Sequence, residues 1–220
     1  MEAMDVLIDF RKVMFFFTVF ILASSSPAEQ NSQLPLTEKL DGIEGSLEVV
    51  SHKPHGRLLF RSKNGIQHQL KLEKATAKIE TKDFDGANKR LILVTQDFTA
   101  EFGSYNGPIT KILKITSTGM SWVKALNQET KKEFEISLMK SLKSAWSFAP
   151  TSSGQESDLL KVKCEFDENA KAGFITTYSR IHLTPHGWIM SQRHEDAAWE
   201  NEALDSPSQN GLPDIKKFPN

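Results

Sequence analysis

The sequence predicts an all-β fold in which repeated long antiparallel strands form an open-ended β-jellyroll or sandwich. Three observations predict it. Apolar and polar residues alternate through 89–102 and 159–166, the period of a strand with two different faces. Turn signals punctuate the chain at Asn64-Gly65, Asp85-Gly86 and Asn106-Gly107-Pro108, and such pairs between apolar runs mark hairpins. The chain also resembles itself. Residues 180–190, RIHLTPHGWIM, echo 111–123, KILKITSTGMSWV, with Ile181, Leu183, Thr184 and Gly187 standing 68 positions after Leu113, Ile115, Thr116 and Gly119.

Residues 1–28 read as a signal peptide or an N-terminal anchor. Arg11-Lys12 precedes an apolar run of 11 residues, 13–23, and Ser26 and Ala28 suit cleavage after Ala28. A basic start, a short apolar core and small residues at the exit describe an export signal. A spanning helix needs about 20 apolar residues. Residues 29–45, polar and with a proline, read as a linker, and 46–204 as the repeated antiparallel β domain.

Within that domain, 47–51 and 57–61 form a hairpin about Pro54-His55-Gly56, a fainter third copy of the turn. In 68–80, Leu70 and Leu72 share one face while Ala75, Ala77 and Ile79 take the other parity. That shift predicts one strand with a β-bulge. In 89–102, Ile92, Val94, Phe98, Ala100 and Phe102 share an apolar face interrupted by Gln96, and Thr95, Asp97, Thr99 and Glu101 share the other. Residues 133–138, EFEISL, place Ile136 and Leu138 66 positions after Leu70 and Leu72. Residues 139–146 fit strand or helix, and 150–157 read as a loop. Residues 159–166, LLKVKCEF, match 91–98, LILVTQDF, at the offset of 68. Leu160, Val162, Cys164 and Phe166 point inward there, so Cys164 reads as a core residue. Residues 192–204 fit a last strand or a short helix, and 205–220 a flexible tail. The matched offsets imply a stacked array of a unit of about four strands.

Charge excludes some classes. The 220 residues carry a net charge of −1, and without 1–28 acids and bases balance. A nucleic-acid binder needs a clustered basic face. With a single cysteine the exported chain has no internal disulfide, which fits a bacterial envelope protein.

One segment carries a family resemblance. Residues 173–201, GFITTYSRIHLTPHGWIMSQRHEDAAWEN, resemble the repeat of the lipopolysaccharide-transport periplasmic β-jellyroll (OstA-like) proteins. Ile181-x-Leu183, Gly187, the return strand 188–191 and the Ala-x-aromatic-acid segment 197–200 match that repeat, and 74–80 followed by 90–102 has a similar cadence. The resemblance spans about 47–201. It implies an antiparallel groove that carries acyl chains of lipid or lipopolysaccharide. The groove face is then Ile92, Val94, Phe98, Ala100, Phe102, Leu160, Val162, Phe166, Ile181 and Leu183. The expected function is a non-catalytic envelope binding or scaffold protein. Its partners are lipid or lipopolysaccharide, and envelope proteins through edge strands, with no nucleic acid and no cofactor.

Two alternatives use other residues. A secreted β-sandwich interaction or glycan-binding module would use Trp122, Trp146, Trp188 and Trp199 as stacking platforms. A metal-dependent protein would use the turn residues His55 and His186, helped by His52 and His182, since imidazoles are common ligands. The middle turn, Ser117-Thr118-Gly119, lacks His. Asp97 and Glu165 recur at the offset of 68 and fit cross-strand charge pairing. Phosphate loops, nucleophile elbows and paired-cysteine metal patterns are missing from the sequence.

Overall fold

Fifteen strands build three sheets among the described residues. The computed structural model describes residues 33–40, 43–84, 89–99, 106–150, 156–202 and 211–219, so the leader expected over 1–28 lies outside them. Sheet A is a meander of β1 (Gln33–Leu40), β2 (Ile43–His52), β3 (His55–Ser62) and β4 (Gln67–Leu72). Sheet B orders β11 (Ser137–Met139), β7 (Pro108–Thr116), β6 (Lys89–Asp97) and β5 (Lys78–Phe84), with β8 (Gly119–Trp122) also on β7. Sheet C orders β10 (Glu133–Glu135), β9 (Lys124–Asn127), β15 (Gly187–Glu195), β14 (Phe174–Thr184), β13 (Glu156–Phe166) and β12 (Ser144–Pro150). The β15–β9 pair is parallel and the other pairs are antiparallel.

Sheet B is the middle layer. Successive side chains on a strand point to opposite faces, and Leu91, Ile92, Leu93 and Val94 are all buried. Leu91 and Leu93, with Ile112, pack with Leu138, Leu159 and Ile181 on the sheet C side. Ile92 and Val94, with Leu113 and Ile115, pack with Leu47, Val49, Leu58 and Phe60 on the sheet A side. A strand buried on both faces reads as a continuous apolar run, and LILV is that run. Each such side chain stabilises the fold by about 1.5–3 kcal/mol.

The internal repeat is visible in the pairing. β5–β6 aligns Ile79 with Val94, and β12–β13 aligns Ala145 with Val162, which matches the offsets of 66 and 68 read from the sequence. The β7–β8 and β14–β15 turns share their hydrogen bonds. Thr116 Oγ1 donates to Gly119 O at 3.1 Å and Thr184 Oγ1 to Gly187 O at 2.8 Å. The amides of Thr118 and His186 donate back to those hydroxyls at 3.3 and 3.2 Å. The turn before β3 differs. Lys53-Pro54 sits between paired His52 and His55, so Gly56 lies within a strand and this hairpin is not a third copy.

Several expectations are corrected. Most of the expected linker 29–45 is strand, because 33–40 pairs with β2 as β1 and 43–45 begins β2. Residues 68–80 are not one bulged strand. β4 ends at Leu72 in sheet A and β5 begins at Lys78 in sheet B, so the parity shift records a crossing between layers. Residues 139–146 contain the ends of β11 and β12 joined through a Ser141–Ser144 bridge, with no helix. Of 192–204, residues up to Glu195 continue β15. The end of the expected flexible tail is packed. Phe218 is 3% exposed, and Ile215–Lys217 forms a 3₁₀ turn capped by Asp214. Among the described residues no helix is long and apolar enough to cross a membrane.

Candidate functional site

The expected groove residues do not share one face. Ile92 and Val94 lie in the interior between sheets A and B, and Ile92, like Leu183, also lines the cleft described below. Ile181 and Leu183 lie between sheets B and C. Leu160 and Val162 lie on the far side of sheet C, beneath Phe218. Phe98 is half-buried beyond β6, with Lys74 Nζ 5.0 Å above its ring. Phe166 is 69% exposed at the end of β13, against Phe174. Ala100 and Phe102 lie outside the described residues. The physical reason is twofold: β6 and β13 belong to different sheets, so residues of equal parity face different layers, and the β13–β14 register sets Ile181 opposite Leu159, on the other face from Leu160 and Val162.

An apolar cleft opens elsewhere, where the chain passes from sheet B to sheet C. β8 hugs the second half of β7 as far as Trp122 paired with Leu113. Val123 then donates its N–H to Ile112 O at 2.8 Å, and β9 joins sheet C. The returning chain crosses back at Ile136, whose N–H donates to Val123 O at 3.0 Å, and β11 rejoins β7. Beside this double crossing lies a cleft of about 680 Å³. Its walls include Leu91, Ile92, Ile112, Trp122, Val123, Leu183 and Trp188. Trp122, Val123, Leu183 and Trp188 are only partly buried, so apolar surface stays open here. Trp188 is held by Phe84, at 5.3 Å between ring centroids, in an aromatic chain that continues through Phe148 to Trp146.

The polar lining is mostly cationic. It comprises Arg90, Lys114 and Lys124 with Ser121 and one acid, Glu133. Arg90 Nε is bound to Asp83 at 2.8 Å. Lys114 and Lys124 are exposed and make no ion pair among the described residues. Such a cleft combines an apolar wall with positive charge, and it can hold an apolar group whose anionic end stays near water.

The other candidate residues are dispersed. Among the described residues no group of three His, Cys, Asp or Glu could hold a metal. His55 Nδ1 is 3.0 Å from Glu73 O, and His186 sits exposed on the β14–β15 turn. Asp97 accepts the Thr99 N–H at 2.8 Å, and hydrogen bonds from Thr99 hold its carboxyl below the ordinary value. Glu165 pairs with Lys163 on its own strand. Cys164 is buried, and its sulfur accepts the Trp199 N–H at 3.4 Å. Of the four tryptophans, Trp122 and Trp188 line the cleft, while Trp146 packs against the same interior as Trp188 without lining the cleft and Trp199 packs on the outer face of sheet C.

Sequence reasoning missed two features. Lys161 lies at the repeat position of Leu93, and its Nζ donates to Ser137 O at 2.9 Å. Burial and the charge of Lys163 push it down to about 8, against the opposing pull of Glu165. The second is a clamp on the outer face of sheet C, where Tyr178 Oη donates to Glu195 and Lys217 Nζ lies 3.1 Å from the same carboxylate. The alignment with Leu93 could have flagged Lys161, whereas nothing local signalled the clamp.

Fold and site together define an all-β, three-layered sandwich protein with an apolar, cation-rimmed cleft at a crossing between its sheets. Comparisons with protein-family models, with curated proteins and with solved structures found no match to this chain.

Proposed function

We propose that the chain is a non-catalytic binding protein of the cell envelope, exported by its N-terminal leader, that holds the apolar part of an anionic amphiphile in this cleft. The observation that carries the reading is the open wall of Trp122, Val123, Leu183 and Trp188 beside Lys114 and Lys124, which have no acidic partner among the described residues. Ligand pockets commonly span about 300–1,000 Å³, and 680 Å³ falls within that range. That volume suits a single acyl chain with its linkage, the chemistry of a lipid or of one lipopolysaccharide chain. Envelope partners would add at β12, an edge strand whose sequence SAWSFAP carries no charge, since uncharged edges accept further strands. A glycan is the second reading, because Trp122 and Trp188 line one cleft and indole faces suit stacking.

The test is a titration of the purified chain with an anionic single-chain amphiphile, a neutral one of equal chain length, and an oligosaccharide, followed by tryptophan fluorescence. Lys114→Glu with Lys124→Glu should weaken the anionic ligand about tenfold or more and leave the neutral one nearly unchanged, as expected for a charge-dependent head-group contact. Equal loss for both, or no saturable binding to either, would sink the amphiphile reading. Saturation by the oligosaccharide alone would favour the glycan.

A further inference from the structure

We propose that the outer face of sheet C is a docking surface for a short peptide that carries a Lys-Phe pair at the end of a 3₁₀ turn, and that residues 211–219 are its resident occupant. The inference stands apart from the amphiphile reading, since the two sites share no residue.

The repeat shows what this face would otherwise expose. On sheet B, Ile92 and Val94 are covered by the four strands of sheet A. Their counterparts on sheet C at the offset of 68, Leu160 and Val162, meet instead Phe218, with Trp199 and Leu212 at the margin. A surface equivalent to one that buries a whole sheet is therefore covered by a short segment.

The contacts of that segment read side chains. Phe218 is 3% exposed and packs with Ala145, Ala149, Leu160, Val162 and Tyr178. Its ring stands edge-on to Tyr178, 5.6 Å between centroids. Lys217 Nζ lies 3.1 Å from Glu195 Oε2 and 3.4 Å from Tyr178 Oη. An apolar socket and an acid-phenol clamp thus recognise adjacent Phe and Lys. Gly211 fits where a Cβ would fall 2.1 Å from Asn201 Oδ1, and its φ of +66° favours glycine. The segment also satisfies some of its own backbone: Lys217 N–H donates to Asp214 O at 2.9 Å and Phe218 N–H to Ile215 O at 3.1 Å. It is not a strand of sheet C, so leaving the face would break no sheet ladder. A partner peptide with the same pair could displace it.

The test uses the full chain and a labelled peptide of its own residues 211–220, GLPDIKKFPN. In wild type the resident segment competes at high effective concentration. Phe218→Ala should remove that competition, and anisotropy should show the peptide binding the variant at least tenfold more tightly than wild type. Adding Glu195→Gln should weaken that binding about tenfold, and a peptide with Ala at the Lys217 and Phe218 positions should not bind. Should Phe218→Ala lose its single thermal transition, Lys217→Ala takes its place, with a smaller gain in the same direction. Equal binding to wild type and variant, or no binding to a folded variant, overturns the proposal. Wild-type dimers that disappear with Phe218→Ala would support the surface with a second copy as the donor of the peptide.

Discussion

Lys161 shows how a single residue sets stability in a layered β protein. It occupies the position that Leu93 holds in the matching strand, and its pKa of about 8 marks the cost of holding a cation between sheets B and C. The sign follows from the depressed value. Near neutral pH the folded chain bears the whole penalty. Between about 8 and the ordinary lysine value of about 10.4, the unfolded chain binds more protons, so stability rises with pH. Lys161→Met removes the charge and keeps the volume, at the loss of one hydrogen bond to Ser137 O. We expect a gain of roughly 1–3 kcal/mol at neutral pH, with the alkaline rise flattened, because each tenfold weakening of proton binding in the folded chain corresponds to about 1.4 kcal/mol and the lost hydrogen bond offsets part of it. Urea midpoints of both proteins across that range measure it. A variant less stable than wild type at neutral pH, or an unchanged alkaline rise, would refute the assignment.

At the scale of elements, the 211–219 segment has its own pH dependence. Burial raises the Glu195 carboxyl, but hydrogen bonds from Lys217 and Tyr178, with the charges of Lys217 and Arg193, outweigh it and leave the group below its ordinary value. Lys217 is raised by its hydrogen bonds to Glu195 and Tyr178, and Tyr178 is raised chiefly by burial. A lowered carboxyl contributes stability above its ordinary range and loses it as pH falls through the lowered value. The clamp therefore holds at neutral pH and releases in acid. Pepsin should cut within 211–219 faster as pH drops from about 5 to about 2.5, beyond the enzyme's own pH dependence. Glu195→Gln should abolish that added dependence. Identical profiles for both proteins would remove Glu195 from the latch.

The same scale explains what is legible in the sequence. β6 and β13 are legible because alternation and the offset of 68 are local signals, and the Thr-x-x-Gly turns are legible because their hydrogen bonds close within four residues. Layer assignment is not legible. Leu70 and Ile79 have opposite parity yet belong to one interior, because the chain changes sheets between them. In the sequence that change has the form of a bulge, and the expected groove face fails for the same reason. The cleft depends on the crossings at Val123 and Ile136, where the sequence shows only short uninterrupted strands. Trp122 and Trp188 stand out in the sequence as residues flanking turns, but their common wall needs the three-dimensional path.

For the whole molecule, the middle position of sheet B makes its two interiors one cooperative unit. Leu93 faces sheet C and Val94 faces sheet A, so neighbours on β6 report on different layers. A large-to-small change in a packed core costs the lost transfer energy and a cavity term. Leu93→Ala should cost about 2–5 kcal/mol, and Val94→Ala roughly 1.5–3 kcal/mol, for two buried methyls with their cavity. Either change should lower one common unfolding midpoint, because losing sheet B uncovers both interiors. Probes on the two sides check this. Trp122 packs against the interior with sheet A, and Trp146 and Trp188 against the interior with sheet C. With single tryptophans retained in turn, urea curves of Val94→Ala should coincide. Amides of β6 and β7 should exchange only through global opening, while those of the edge strands β1 and β12 exchange through local opening. A separate early transition seen by Trp122 alone would mean that sheet A unfolds by itself, and that the three layers are two independent sandwiches sharing a wall.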